Sequence, residues 1–167
     1  MKSRLIASLA VGAAVVLGTT GCGLIAPQGT TVQYQPSDGM NVPDASGPLK
    51  VRNALIVANE DGTEGNFVAA IVNPGDKDEV LHIEVGEGSD AVKKTIRVSA
   101  GTAKSLGIAE IDGVESIVGA DPLLIEGLNT QPGATVPVYF QSGDGEGAIV
   151  QIPVLDGTLD YLADLVP

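Results

Sequence analysis

The chain begins with one uninterrupted apolar run. Lys2 and Arg4 precede residues 5–17, which carry no charge, and small residues then lead to Cys22. A membrane-spanning helix needs about 20 apolar residues, whereas a positive start, a shorter apolar run and small residues are typical of a signal peptide. The pattern therefore predicts a signal peptide over residues 1–21.

Short apolar stretches separated by turns follow from residue 49 onwards. Each is four to eight residues long, rich in β-branched residues and bounded by Gly, Pro, Asn or Asp, which is typical of strands. Residues 99–121 are less regular and are expected to hold short strands and loops. No run has the length and period of a long helix. The predicted strands are 51–57, 66–72, 80–85, 92–98, 122–128, 135–141 and 148–154.

This pattern predicts an all-β protein, an antiparallel β-sandwich of immunoglobulin-like type. Strand 80–85 alternates, so His82 and Glu84 are expected to face outwards. The run 66–72 is apolar throughout and is expected to be buried on both faces. The basic strand 92–98 is expected at an edge. Pro137 and Pro153 lack an N–H for the ladder and favour edges or bulges.

Four segments are predicted along the chain. Residues 1–21 form the signal, and 22–48, rich in Gly, Pro, Thr, Gln, Ser and Asp, form a flexible tether that starts at the cysteine. Residues 49–156 form the sandwich domain. Residues 157–167 form a tail with room for one short helix, on which Leu159, Leu162 and Val166 would share a face.

The junction before the cysteine resembles the lipobox of bacterial lipoproteins. Gly21 precedes Cys22, the only cysteine of the chain, and Thr19 holds the position that is usually leucine. In that family the thiol receives a diacylglycerol, and the cysteine becomes the mature N-terminus. The resemblance implies that Cys22 is the lipid attachment site, carrying acyl chains such as palmitate. The alternative is plain secretion with an unmodified cysteine.

Two acyl chains hold a protein stably at a membrane. The expected location is therefore the extracytoplasmic face of the cell membrane, with the anchor on Cys22 as the membrane contact. The formal net charge is −12, and loss of Lys2 and Arg4 with the signal makes it −14. Such a chain is a poor nucleic-acid binder and is repelled by anionic lipid. An envelope protein is the expected partner, and the oligomeric state stays open.

The body of the chain resembles the LpqE-like exported lipoproteins of actinobacteria. The resemblance rests on the Val-Arg-Asn-Ala-Leu run at 51–55, on residues 66–75 and on the closing Gln-Ile-Pro-Val at 151–154. More distantly, residues 66–154 are similar to the periplasmic copper chaperones called PCuAC. That similarity implies a cupredoxin-like β-sandwich.

The PCuAC family carries a His-Leu-Met segment before its last hairpin. In this chain Pro122 stands where the histidine would be, and Leu124 stands where the methionine would be. Cu(I) selects thioether and imidazole ligands. The resemblance therefore implies the fold of the family without its copper ligands, and no metal or cofactor is expected.

The remaining candidates for chemistry are few. His82 is the only histidine and is interpreted as a surface residue. Ser105 lies in a Gly-x-Ser-x-Gly-like segment, but that motif needs a strand-turn-helix and a later histidine. Carboxylates in turns could hold Ca²⁺, although no Asp-x-Asp-x-Asp-Gly loop is present. They are Glu60, Asp61 and Glu64; Asp76, Asp78 and Glu79; and Asp144 and Glu146.

Together these observations predict a non-enzymatic, membrane-anchored lipoprotein of the cell envelope, acting as an interaction module or as a binder of a weak ligand. The alternative is a metal-handling protein related to the copper chaperones.

Overall fold

A computed structural model describes residues 2–19, 37–107 and 116–167. Cys22, most of the predicted tether and part of the 99–121 region lie outside these residues. The chain divides into two compact units, Met1–Tyr34 and Gln35–Pro167, which are described separately.

The first unit contains one helix, α1 (Lys2–Thr19), which covers the predicted apolar run. Its sequence is rich in alanine and leucine, both strong helix formers. Among the residues described, no helix is both long enough and apolar enough to cross a membrane.

The second unit is built from strands, and all seven predicted strands are confirmed within two residues at their ends. Two further short strands, β5 and β6, lie in the region expected to hold short strands. The strands are β1 (Lys50–Ala58), β2 (Glu64–Val72), β3 (Glu79–Val85), β4 (Val92–Val98), β5 (Ala103–Leu106), β6 (Ile117–Ala120), β7 (Leu123–Glu126), β8 (Thr135–Ser142) and β9 (Ala148–Leu155). A single helical turn, α2 (Asp160–Ala163), follows.

The strands form one curled sheet in the order β4-β3-β8-β9-β1-β2-β5-β6, and β7 pairs with β2. The curl occurs at β9. Its residues 148–153 pair with β8, whereas Val154 and Leu155 pair with β1. The β-sandwich prediction is confirmed, but the pairing is mixed rather than purely antiparallel. The pairs β1–β9 and β5–β6 are parallel.

The core lies between the two halves of this sheet. Leu81, Ile83 and Val85 of β3 point inwards and are at most 3% exposed, as their alternation predicts. From the other half, Phe67 and Ile71 of β2 are fully buried. Alternating apolar positions from both halves therefore fill one continuous core.

A second, smaller cluster lies on the outer face of β1 and β2. Leu55, Val57 and Val68 pack there against Leu162 of α2. The prediction that strand 66–72 is buried on both faces is thus confirmed at its centre, and the C-terminal tail is what covers the second face.

The tail helix is too short to place Leu159, Leu162 and Val166 on the single face that the sequence predicted. Leu162 is 3% exposed, but Leu159 is 47% exposed and Val166 36% exposed. The helix has only one turn, so these three residues do not align along one buried stripe. Leu165 packs beside Leu162 instead.

Part of the segment expected to be tether belongs to the compact unit. Met40 forms a β-bridge with Ala54 of β1, and Val42 and Leu49 are buried at 3% and 1% exposure. Asn53 has a φ of 51° at an irregularity in β1. Its side-chain Oδ1 accepts a hydrogen bond from the N–H of Gly39 at 2.8 Å. The folded unit therefore begins before residue 49.

The sheet order confirms the edge position of the basic strand, but Pro137 and Pro153 lie in the internal strands β8 and β9 rather than at an edge. Strand β4 lies at one end of the sheet, and its Lys93 and Arg97 are exposed. Pro137 lies just beyond the end of the β3–β8 ladder, where its carbonyl accepts from the N–H of Gly86 at 2.9 Å. The nitrogen and the carbonyl of a strand residue face the same neighbouring strand. The missing N–H of Pro137 therefore faces the position just past the end of β3, where the ladder needs no donor.

Candidate functional site

A groove of about 540 Å³ lies at one end of the sandwich and is called here the end groove. It is formed where β1 ends, where the chain enters β8 and where the tail leaves β9. Its volume lies in the range of about 300–1,000 Å³ that is usual for ligand sites. It is lined by Ala58, Glu60, Gln131, Pro132, Asp156, Gly157, Thr158 and Val166.

The turn after β1 places Glu60 at this groove. Asn59 orders the turn, since its Oδ1 accepts from the N–H groups of Thr63 at 3.0 Å and Glu64 at 3.2 Å. Its Nδ2 donates to the Thr63 hydroxyl at 3.0 Å. An Asn side chain that replaces backbone partners in this way fixes a tight turn.

The turn after β9 holds the second carboxylate. The Thr158 hydroxyl donates to Asp156 Oδ1 at 2.6 Å, and the Thr158 N–H donates to the same oxygen at 3.1 Å. These bonds from the Thr158 side chain and backbone favour the charged form, so the pKa of Asp156 lies below its ordinary value of 3.8. Asp156 is therefore ionised at neutral pH and fixed in direction.

Close backbone packing holds the walls of the groove together. The N–H of Thr130 donates to the carbonyl of Gly62 at 2.9 Å, which ties the two loops beside the groove. A Cβ on Gly157 would lie 2.4 Å from Val166 Cγ2. Glycine at 157 thus lets the tail approach the end of β9, and Val166 becomes part of the wall.

His82 lies on the exposed outer face of β3, as predicted. It pairs with Thr95 of β4 on one side and Gln141 of β8 on the other. A shallow cleft of about 260 Å³ includes His82, Thr95 and Tyr139. In the neighbouring row Lys93 Nζ lies 3.4 Å from a Glu84 carboxylate oxygen, an exposed pair that contributes little stability.

Ser105 does not occupy a nucleophile elbow. It is 6% exposed and lies within strand β5, paired with Ala70 of β2 and with Gly119 of β6. An elbow requires the serine at an exposed turn between a strand and a helix. The structure therefore places Ser105 in the sheet rather than at a site.

The acidic turns do not converge. Within residues 2–19, 37–107 and 116–167, no group of three or more His, Cys, Asp or Glu side chains is arranged to hold a metal ion. Asp78 is engaged otherwise, since its carboxylate accepts from the N–H of Ala100 at 3.1 Å and from Arg97 at 3.4 Å.

The two positions that the resemblance set against the copper ligands of the PCuAC family, 122 and 124, lie at the start of β7. Pro122 precedes the strand, and Leu124 is 39% exposed opposite Asn66 of β2. Met40 and His82 supply soft donors elsewhere. Met40 bridges to β1, and β8 and β9 lie between β1 and the strand of His82 in the sheet order.

Solved structures similar to this chain include PCuAC domains. The apo PCuAC domain of PmoF1 is similar over 69% of this chain and 98% of its own length, with 15% identity and a TM-score of 0.48. The apo PmoF2 domain matches 72% of this chain and 98% of its own, with 10% identity and a TM-score of 0.48. The copper-bound PmoF2 domain is similar at a TM-score of 0.38.

No protein-family model matches the sequence, and no curated protein matches it. The structural similarities are distant, so the fold of this protein rests on its own strand pairing and burial.

The end groove has no signal in the sequence. Its lining comes from four separate parts of the chain, near residues 58–60, 131–132, 156–158 and 166. None of these has a motif spacing. Only the turn-forming Asn59 and the Asp156-Gly157 pair mark the loops, and such pairs occur in turns of every kind.

Proposed function

We propose that the protein is a non-enzymatic lipoprotein, anchored through Cys22 to the extracytoplasmic face of the cell membrane, and that its β-sandwich acts there as a binding module for an envelope protein. The observation that carries the proposal is the order of segments. An apolar run after two basic residues is followed by the only cysteine, and a compact β unit begins at Gln35.

A lipid anchor suits weak binding by the domain. Diacylglycerol with a further acyl chain keeps the protein at the membrane. Confinement near a surface raises the effective concentration of any partner fixed in the same envelope. A sandwich with an open groove can then act at low intrinsic affinity.

Replacement of the cysteine tests the anchor. Cys22→Ala should shift the protein out of the membrane fraction or leave a precursor that retains residues 1–21, and it should abolish palmitate incorporation. Thr19→Leu is the matched control, because it brings the junction closer to the usual lipobox and should preserve both readouts. Membrane fractionation together with mass spectrometry of the N-terminus measures the result. Unchanged fractionation and labelling of Cys22→Ala would contradict the proposal.

Copper handling is the second candidate, and it rests on the resemblance of residues 66–154 to the copper chaperones. The described donors fit it poorly, because Met40 bridges to β1 whereas His82 lies on β3, and two strands separate β1 from β3 in the sheet. Titration of the soluble domain, which lacks the Cys22 thiol, with Cu(I) distinguishes the two candidates. We expect no binding tighter than about micromolar. Tighter binding that is lost in His82→Ala or Met40→Ala, but kept in a Gln141→Ala control, would favour copper handling instead.

A further inference from the structure

We propose that the end groove binds a lysine or arginine side chain presented by an extended segment of a protein partner. This inference rests on the proposed function, and it names the chemistry of the partner and the place where it docks.

The groove has the shape and lining that a long basic side chain requires. Ala58, Pro132 and Val166 provide apolar wall, and Glu60 and Asp156 provide carboxylates. Lysine and arginine carry an apolar stem below a charged head, so they bury the stem along apolar surface while the head reaches an acid. The groove is open to solvent, which lets a side chain enter while its backbone stays outside.

The groove carboxylates have no cationic partner among the residues that the structure describes. No lysine or arginine lines the groove, and the ion pairs of this part of the chain involve neither Glu60 nor Asp156, whose Oδ1 accepts from Thr158. By contrast, Asp44 pairs with Lys50 at 3.1 Å, Glu84 with Lys93 and Asp78 with Arg97. The groove carboxylates thus remain available to a cation from outside.

The chain as a whole favours a cationic ligand. A formal net charge of −14 without the signal creates a negative field that attracts basic segments and raises their association rate. The Asp156 carboxylate is already oriented by Thr158, so little ordering is needed at that group when the ligand arrives.

The test uses the mature, lipid-anchored protein purified in detergent. The probe is a fluorescent, capped Ala-Lys-Ala-Arg-Ala peptide, and fluorescence anisotropy measures its binding at low salt. Capped Ala-Gln-Ala-Gln-Ala is the neutral control peptide. We expect the basic peptide to bind and the neutral one to bind at least about tenfold more weakly. Binding should also weaken as salt screens the charges.

Variants locate the binding. Glu60→Gln should weaken the affinity for the basic peptide about threefold. The double variant Glu60→Gln with Asp156→Asn should weaken it about tenfold, as the loss of two exposed ion pairs would give. The matched control is Asp144→Asn with Glu146→Gln, which removes two charges from the β8–β9 turn and should leave binding within twofold. The single Glu60→Gln variant keeps the test valid, because the Glu60 side chain is exposed and lies outside the core.

Three results would overturn the inference: equal binding of the two peptides, equal loss in the two double variants, or no binding of the basic peptide up to about millimolar concentration. None of them bears on the anchor, because the titration is made in micelles and fractionation of Cys22→Ala is read separately. Failure of the groove and failure of the anchor are therefore distinguishable.

Discussion

The rings of Phe67 and Phe140 meet in the centre of the core, with centroids 6.1 Å apart and planes tilted by 42°. They are the only two phenylalanines of the chain, and both are fully buried. Phe67 belongs to β2 and Phe140 to β8, so the contact joins the two halves of the curled sheet. Tilted rings at this separation attract each other beyond their buried area.

Replacement of either phenylalanine by leucine should destabilise the fold. We expect Phe67→Leu and Phe140→Leu each to lower the free energy of unfolding by about 1–2 kcal/mol, because each leaves a gap in a close-packed core. The double variant should show a coupling of about 0.5–1.5 kcal/mol between the two rings. Urea denaturation measures all four proteins. Strictly additive losses would show that the rings do not interact.

Truncation of Leu162 should weaken the small apolar cluster on the outer face of β1 and β2. Leu162 is 3% exposed against Leu55, Val57 and Val68, so Leu162→Ala should lower the free energy of unfolding by about 2 kcal/mol. Leu159→Ala is the control from the same tail. Its side chain is 47% exposed, and its loss should stay within about 0.5 kcal/mol. Similar effects of both changes would contradict the packing.

A glycine beside the β8–β9 turn should not tolerate a methyl group. Gly47 has a φ of 126°, and a Cβ there would lie 2.0 Å from the carbonyl oxygen of Ser142. Gly47→Ala should therefore lower the free energy of unfolding by more than about 2 kcal/mol. Gly133 also has a positive φ, 89°, but open space around it, so Gly133→Ala should lose only about 1 kcal/mol. Thermal unfolding measures both variants. The difference between their losses of stability gives the cost of the steric clash at residue 47 beyond the cost of the positive φ.

The bond between Thr158 and Asp156 should make stability depend on pH. The pKa of Asp156 is lowered in the folded state, so the unfolded chain takes up its proton first as pH falls. The stabilisation is present above pH 3.8 and is lost as pH falls through that value towards the folded pKa. Asp156→Asn should therefore lower the urea midpoint at pH 6 more than at pH 3.

Thr158→Val provides the check on that prediction, because it removes the hydroxyl that shifts the pKa most and keeps the backbone N–H. In the Thr158→Val background, Asp156→Asn should lower the urea midpoint at pH 6 by less than it does in the unaltered protein. An Asp156→Asn effect that is the same at both pH values would contradict the assignment.

Local patterns in the sequence predicted the strands because each apolar run is short and closed by its own turn. The alternation of Leu81, His82 and Ile83 predicted their faces directly, since neighbouring strand residues point to opposite sides. The parallel pairing of β9 with β1 could not be predicted in this way. It involves only Val154 and Leu155, and it depends on where the sheet curls.

Packing of the chain ends was also beyond local pattern. Val42 lies in a segment rich in turn-forming residues, yet it is 3% exposed because its neighbour Met40 bridges to β1. Burial there is decided by a partner strand distant in sequence. The end groove is a stronger case, because Glu60 and Asp156 come together only through the topology.

A hydrogen bond between Tyr161 and Asp38 joins two segments that lie near opposite ends of the compact unit. The Tyr161 hydroxyl donates to Asp38 Oδ2 at 2.5 Å, and this bond raises the pKa of Tyr161. Residues near the two ends of the described part of this unit therefore lie in contact. A short linker from the tail to residue 38 should for that reason allow a circular permutant of the sandwich. New termini would suit the turn at Gly88, where, among the described residues, no atom beyond its chain neighbours lies within 4 Å of a Cβ placed there.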